Sequence, residues 1–222
     1  MINIKYEIEQ TLPGIFTVKV QDDYQRAMLF LRCQEHYESQ FEEIKGSHFD
    51  IFEYMERYAK WRGSGSFTYP SDWSGFNVPD YAVETSIKHV LDLRNGIFPT
   101  PYDYVMSDII EHVKSKIKRN SKWYLLGVDS FESRTMMHET AHGLYYVSRK
   151  YNGKARIMVQ ELPTEIFGGM KDLLLKMGYC DGVIADEIQA YMSTGLTSEM
   201  AKITGIQKYL KGFEKHFKKY NV

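Results

Sequence analysis

Two histidines four residues apart, His138 and His142 in the stretch TMMHETAHGLYYV, enclose a glutamate, Glu139. On an α-helix, positions i and i+4 lie one turn apart on the same face, so both imidazoles can reach a single metal ion. Zinc takes such nitrogen ligands readily and, at catalytic sites, keeps three protein ligands and a water. Glu139 projects beside that face, where a general base for the water is needed. The flanking residues suit a packed helix: Met136, Thr140, Ala141 and Gly143 carry no charge, Leu144 is apolar, and no proline interrupts residues 131 to 151.

The segment from Thr135 to Leu144 resembles the active-site signature of the zincin metallopeptidases, in which two histidines bind zinc and the glutamate activates water. The resemblance implies Zn2+ as cofactor and a protein or peptide as substrate. The run KWYLLGV, residues 122 to 128, is similar to the edge strand that crosses above the active-site helix in that family. A substrate chain is then expected to lie against it as an added strand, held by main-chain hydrogen bonds.

A third ligand must come from elsewhere in the chain. No histidine follows His142 until His216, which sits in a lysine-rich terminal segment, and Ser148 stands where a short zincin variant would place its third histidine. Attention shifts to downstream carboxylates. Glu187, in ADEIQAYMST, lies in a segment apolar enough to be packed, where a carboxylate needs a cation to offset its burial. This resembles the gluzincin class, in which a glutamate on a later helix completes the site. Asp186 is one residue off that face and suits the role of accepting a proton from a ligand imidazole. As ligands, Asp186, Glu165 and Glu161 stay open as alternatives to Glu187. For a donor to a developing oxyanion, Tyr191, one turn beyond Glu187, comes first, followed by Tyr145, Tyr146 and His112.

The elements that must position these residues are mostly helical. Alternation in INIKYEIE and GIFTVKV predicts two strands joined at Pro13-Gly14. Helices follow from about Asp23 and from Ser47 to Trp61. Residues 63 to 79, rich in Gly, Ser and Pro, read as a long loop pinned by Trp73 and Phe76. Two further helices flank RNGIFPTP. Then come the strand at 122 to 128, the HETAH helix, and helical patterns in TEIFGGMKDLLLKMG, GVIADEIQAYMST and SEMAKITGIQKYLKGFEKHFKKY. The expected class is α+β: mostly helical, with a small sheet beside the active-site helix, as in zincins. A chain of 222 residues supports one domain, 1–222, with room for an N-terminal subdomain at 1–62 and a metallopeptidase-like core at 80–222.

Composition narrows the partners. With 28 Lys plus Arg against 29 Asp plus Glu, a net charge of -1 gives no reason to expect a nucleic acid or an anionic membrane as partner. The start MINIKYEIEQ lacks the features of a secretory signal, and no apolar run approaches the roughly 18 residues of a membrane span. A cytoplasmic protein is expected. Cys33 and Cys180 are far apart and outside any CxxC pair, so both read as small packed residues. The expected function is zinc-dependent peptide hydrolysis. The alternative is an inactive zincin-like fold that binds metal and serves as an interaction module.

Overall fold

The computed structural model describes residues 4–131 and 133–221. The chain divides into two compact units, Met1–Ser133 and Arg134–Val222. The boundary thus falls immediately before the HETAH helix.

The first unit opens with an antiparallel hairpin of β1 (Glu7–Leu12) and β2 (Ile15–Lys19). Gly14 takes the turn at φ 80°, a conformation glycine adopts without steric penalty. Helix α1 (Asp23–Glu38) starts where the sequence places it and is capped by Asp22, whose carboxylate accepts from the Gln25 amide at 2.8 Å. Helix α2 (Ile51–Arg62) starts only after Asp50, whose side chain accepts from the amides of Phe52 and Glu53. The segment 63–79 is not a bare loop. It holds a short helix, α3 (Tyr69–Asp72), and a strand, β3 (Phe76–Pro79). Its anchors are Tyr69 and Phe76, both buried and stacked on each other, while Trp73 is 37 % exposed. Helices α4 (Asp80–Leu91) and α5 (Pro101–Lys116) and the buried strand β4 (Tyr124–Val128) complete the unit.

The sheet order is β1-β2-β4-β3, with β4 parallel to β2 and antiparallel to β3. This corrects the expectation for residues 122–128. β4 is an interior strand whose main-chain groups are paired on both sides, so no substrate strand can add to it. The partner that occupies its second side, β3, was hidden in the Gly/Ser/Pro-rich text.

The second unit is helical and contains the HETAH motif. It comprises α6 (Arg134–Val147), α7 (Arg149–Gln160), α8 (Thr164–Met177), α9 (Ile184–Thr194) and α10 (Gln207–Lys218). Ser148 separates α6 from α7 and caps the latter through the Tyr151 amide. α10 is shorter than the periodicity suggests, because Gly205 stands at φ 82° just before it. Val159, Ile166, Met170, Leu174, Ile188, Met192 and Phe213 form the unit's core. Among the described residues, no helix is long and apolar enough to cross a membrane.

Candidate metal centre

Helices α6 and α9 pack directly on one another, and small residues make this possible: Ala141 and Ala190 are both fully buried. The Gln189 side-chain amide donates to the Ala141 carbonyl at 3.3 Å, tying the two helices at mid-length. Across this contact stand the side chains that the sequence singles out. His138, His142 and Glu187 offer ligand atoms that all lie within 4.8 Å of one another.

The detailed spacing is tighter. The two Nε2 atoms are 3.3 Å apart, His142 Nε2 is 3.5 Å from Glu187 Oε1, and His138 Nε2 is 3.7 Å from Glu187 Oε2. A tetrahedral ion with arms of 2.0–2.1 Å separates its ligands by about 3.3 Å. The three groups therefore fit a common small cation with little adjustment.

Protons decide what the cluster can be without one. His142 Nδ1 lies 3.0 Å from Asp186 Oδ1, an acceptor that also receives the Gln189 amide at 2.8 Å. His138 Nδ1 lies 3.3 Å from Thr194 Oγ1, whose own proton is donated to the Ala190 carbonyl at 2.8 Å. Both Nδ1 atoms must then be donors, which leaves both Nε2 lone pairs aimed at each other and at a carboxylate. Glu187 Oε2 is buried and receives no hydrogen bond. Two lone pairs and an unsatisfied carboxylate oxygen repel unless a cation stands among them, either a metal ion or a proton on an imidazole. The protonated alternative is visible at His142. Burial works against its charge, but Asp186, Glu187 and Glu139 outweigh burial and hold its proton affinity well above the ordinary value.

Support for the imidazoles extends a layer outward. The Tyr151 hydroxyl donates to Gln189 Oε1 at 2.7 Å, Gln189 donates to Asp186, and Asp186 accepts from His142. Asp186 thus faces the Nδ1 side of His142, and Glu187 the two Nε2 atoms. Glu161 and Glu165 are exposed on α7's end and α8, apart from the cluster. His216 stacks on Tyr151, with its Nε2 at the Tyr151 carbonyl, and His112 is exposed on α5.

Glu139 is buried and close enough to act electrostatically on His142, Tyr179 and Tyr191. The Tyr191 ring lies against His138, centroids 4.5 Å apart. Burial pushes its hydroxyl up to about 12, while a hydrogen bond with Tyr179 and the Arg134 guanidinium act in the opposite sense. At neutral pH Tyr191 is a protonated donor. Tyr145, buried to a lesser degree and within electrostatic reach of Asp186, is also held up at about 12. Sequence reasoning missed Tyr179, Thr194, Gln189 and Tyr151. Of these, only Thr194 carried a signal, being seven residues past Glu187 and thus on the same helical face.

Exposure sets the open side. The side chains of His142 and Glu187 are each 3 % exposed, whereas His138 is 17 % exposed. Cys33 is buried with its thiol pushed up to about 12 by desolvation. Comparison with family models, curated proteins and solved structures yields no match to this chain.

Proposed function

We propose that this chain is a zinc-dependent metallopeptidase that hydrolyses peptide bonds in a protein or peptide substrate. One observation carries the reading: two imidazole Nε2 atoms and a buried, unsatisfied glutamate oxygen converge at 3.3–3.7 Å, with both Nδ1 protons committed elsewhere. Such a donor set suits zinc, although imidazole and carboxylate also accept other first-row ions. His138, His142 and Glu187 hold the metal, and Asp186 and Thr194 fix the tautomers of the two imidazoles.

When bound, zinc supplies Lewis acidity, which makes water acidic near neutral pH and polarises a carbonyl. The chain's own residues do the remainder. Glu139 accepts the proton released as water attacks the scissile carbonyl carbon, and then delivers it to the leaving nitrogen. Tyr191, protonated and beside His138, donates to the carbonyl oxygen as negative charge develops there. Tyr179 holds the Tyr191 hydroxyl in place through their shared hydrogen bond. The experiment is direct: Glu139→Gln is expected to retain zinc and lose hydrolysis of a generic peptide mixture, and turnover preserved in that variant would refute the assigned base.

A second reading has an observation of its own. A proton on His142, favoured by Asp186 and Glu187, would also neutralise the cluster and make it a structural ion pair in an interaction module. That reading expects zinc to be neither retained on purification nor taken up at neutral pH.

A further inference from the structure

Arg134 opens α6 four residues before His138 and eight before His142, so the three share one helical face. Its guanidinium is held in place. Nη2 donates to the Leu196 carbonyl at 3.1 Å, just beyond the end of α9. The group lies against Gly195, where a β-carbon would stand 2.4 Å from Nη2, 3.0 Å from Cζ and 3.1 Å from Nε. Gly195 itself has φ 130°, which other residues rarely adopt, so the backbone favours glycine there.

A surface arginine ordinarily gains little from being fixed, because ordering a long side chain costs conformational entropy. This one is fixed by a neutral carbonyl and, among the described residues, pairs with no carboxylate. Among the described residues, its charge is therefore not neutralised by an ion pair. It stands near enough to act on the Tyr191 hydroxyl, on the side of the cluster where His138 is the more exposed ligand. A guanidinium offers five donors in a planar fork that matches a carboxylate, and among the described residues only its Nη2 has an acceptor.

We infer that Arg134 binds a carboxylate of the substrate and makes the protein selective for peptides that carry one close to the scissile bond. This rests on the hydrolytic reading of the site. Four residues of helix, a rise of about 6 Å, separate Arg134 from His138. One extended residue spans about 3.3–3.6 Å, so the carboxylate belongs to a residue within about two positions of the cleaved bond. A free C-terminal carboxylate and an Asp or Glu side chain share the required chemistry.

Four otherwise identical peptides separate the sources: a C-terminal acid or amide, crossed with Asp or Asn at the next-to-last position. Cleavage is measured with the zinc-loaded wild type and Arg134→Gln, and binding by calorimetry with zinc-loaded Glu139→Gln, with and without Arg134→Gln. The wild type is expected to favour one carboxylate-bearing pair about tenfold or more, mainly through KM. Arg134→Gln is expected to erase that preference while retaining zinc; Arg134→Lys should restore part of it. Preference for the acid over the amide assigns the C-terminus, and preference for Asp over Asn the side chain. No carboxylate preference in binding or cleavage, or a preference that survives Arg134→Gln, would overturn the inference. Carboxylate-dependent binding that Arg134→Gln abolishes, without cleavage of any peptide by the wild type, would uphold Arg134 and reject hydrolysis.

Discussion

Asp186 Oδ1 stands 3.0 Å from His142 Nδ1, on the far side of the imidazole from His138 and Glu187. It fixes which nitrogen presents a lone pair to the cluster. Asp186→Ala is expected to leave the fold intact and to weaken zinc binding by about 10–100-fold, the usual consequence of losing an outer carboxylate. Thr194→Val removes the longer and neutral contact at His138 Nδ1 and should weaken binding less. Competition against a chromogenic chelator measures both, and a larger loss in Thr194→Val would reverse the assigned importance of the two partners.

Zinc affinity should climb with pH. In the metal-free protein, burial disfavours a charged His142, but Asp186 and Glu187 hold its proton affinity well above 6.5. A group whose pKa is raised on folding stabilises fully below its unfolded value and loses that contribution as pH rises through the folded one. The metal-free fold therefore gains from this proton at mildly acidic pH. Zinc must displace it, so binding near pH 7 should release about one proton per chain. Calorimetry in buffers of different ionisation enthalpy counts that proton, and a zinc Kd indifferent to pH between about 6 and 8 would contradict the linkage.

The sheet-bearing unit makes its own demands. Gly127 in β4 faces Phe30, where a β-carbon would lie 2.5 Å from Cε2, and that ring is stacked on Phe76. Gly127→Ala should overpack this contact and destabilise the protein by about 1–3 kcal/mol. Urea denaturation followed by circular dichroism checks it; an unchanged midpoint would mean that Phe30 moves aside without loss.

Arg32 and Asp103 form a buried pair, with Nε donating to Oδ1 at 2.7 Å and Nη1 donating to the Phe49 carbonyl at 2.7 Å. Asp103 also accepts from the amide and hydroxyl of Thr100 at the start of α5. Asp103→Ala leaves a buried guanidinium unpaired and a helix end uncapped. A loss of about 3–5 kcal/mol is expected, with Arg32→Met/Asp103→Leu recovering part of it in the same denaturation assay.

How much of this was legible beforehand depended on distance along the chain. His138, Glu139 and His142 could be read because helical spacing is local and the motif lies within one helix. Glu187 was readable because an acidic residue in an apolar helix needs a reason, and Asp186 because it stands one residue off that face, where an imidazole N–H can reach it. Tyr179 was not, because it reaches Tyr191 from a turn whose path no periodicity describes. The relay from Tyr151 through Gln189 joins two helices far apart in sequence and leaves no trace in either. Strand order failed for a related reason. β4 looked like an edge because its second neighbour, β3, is four residues long, ends in a proline and sits among glycines and serines. Pairing partners are a property of the folded sheet, and composition masked this one. Helix α7 escaped notice because its apolar stripe, Tyr151, Ala155 and Val159, is narrow and surrounded by charge.

The central claim is that His138, His142 and Glu187 hold one zinc ion. Metal content per chain, measured by elemental mass spectrometry on the purified wild type, His142→Ala and Glu187→Ala, tests it most directly. The expected result is about one zinc in the wild type and its loss or strong depletion in both variants, with circular dichroism showing that each still folds. A wild type that takes up no metal when zinc is offered at neutral pH, or variants that keep it, would contradict the account and leave the cluster a buried ion pair around a protonated His142.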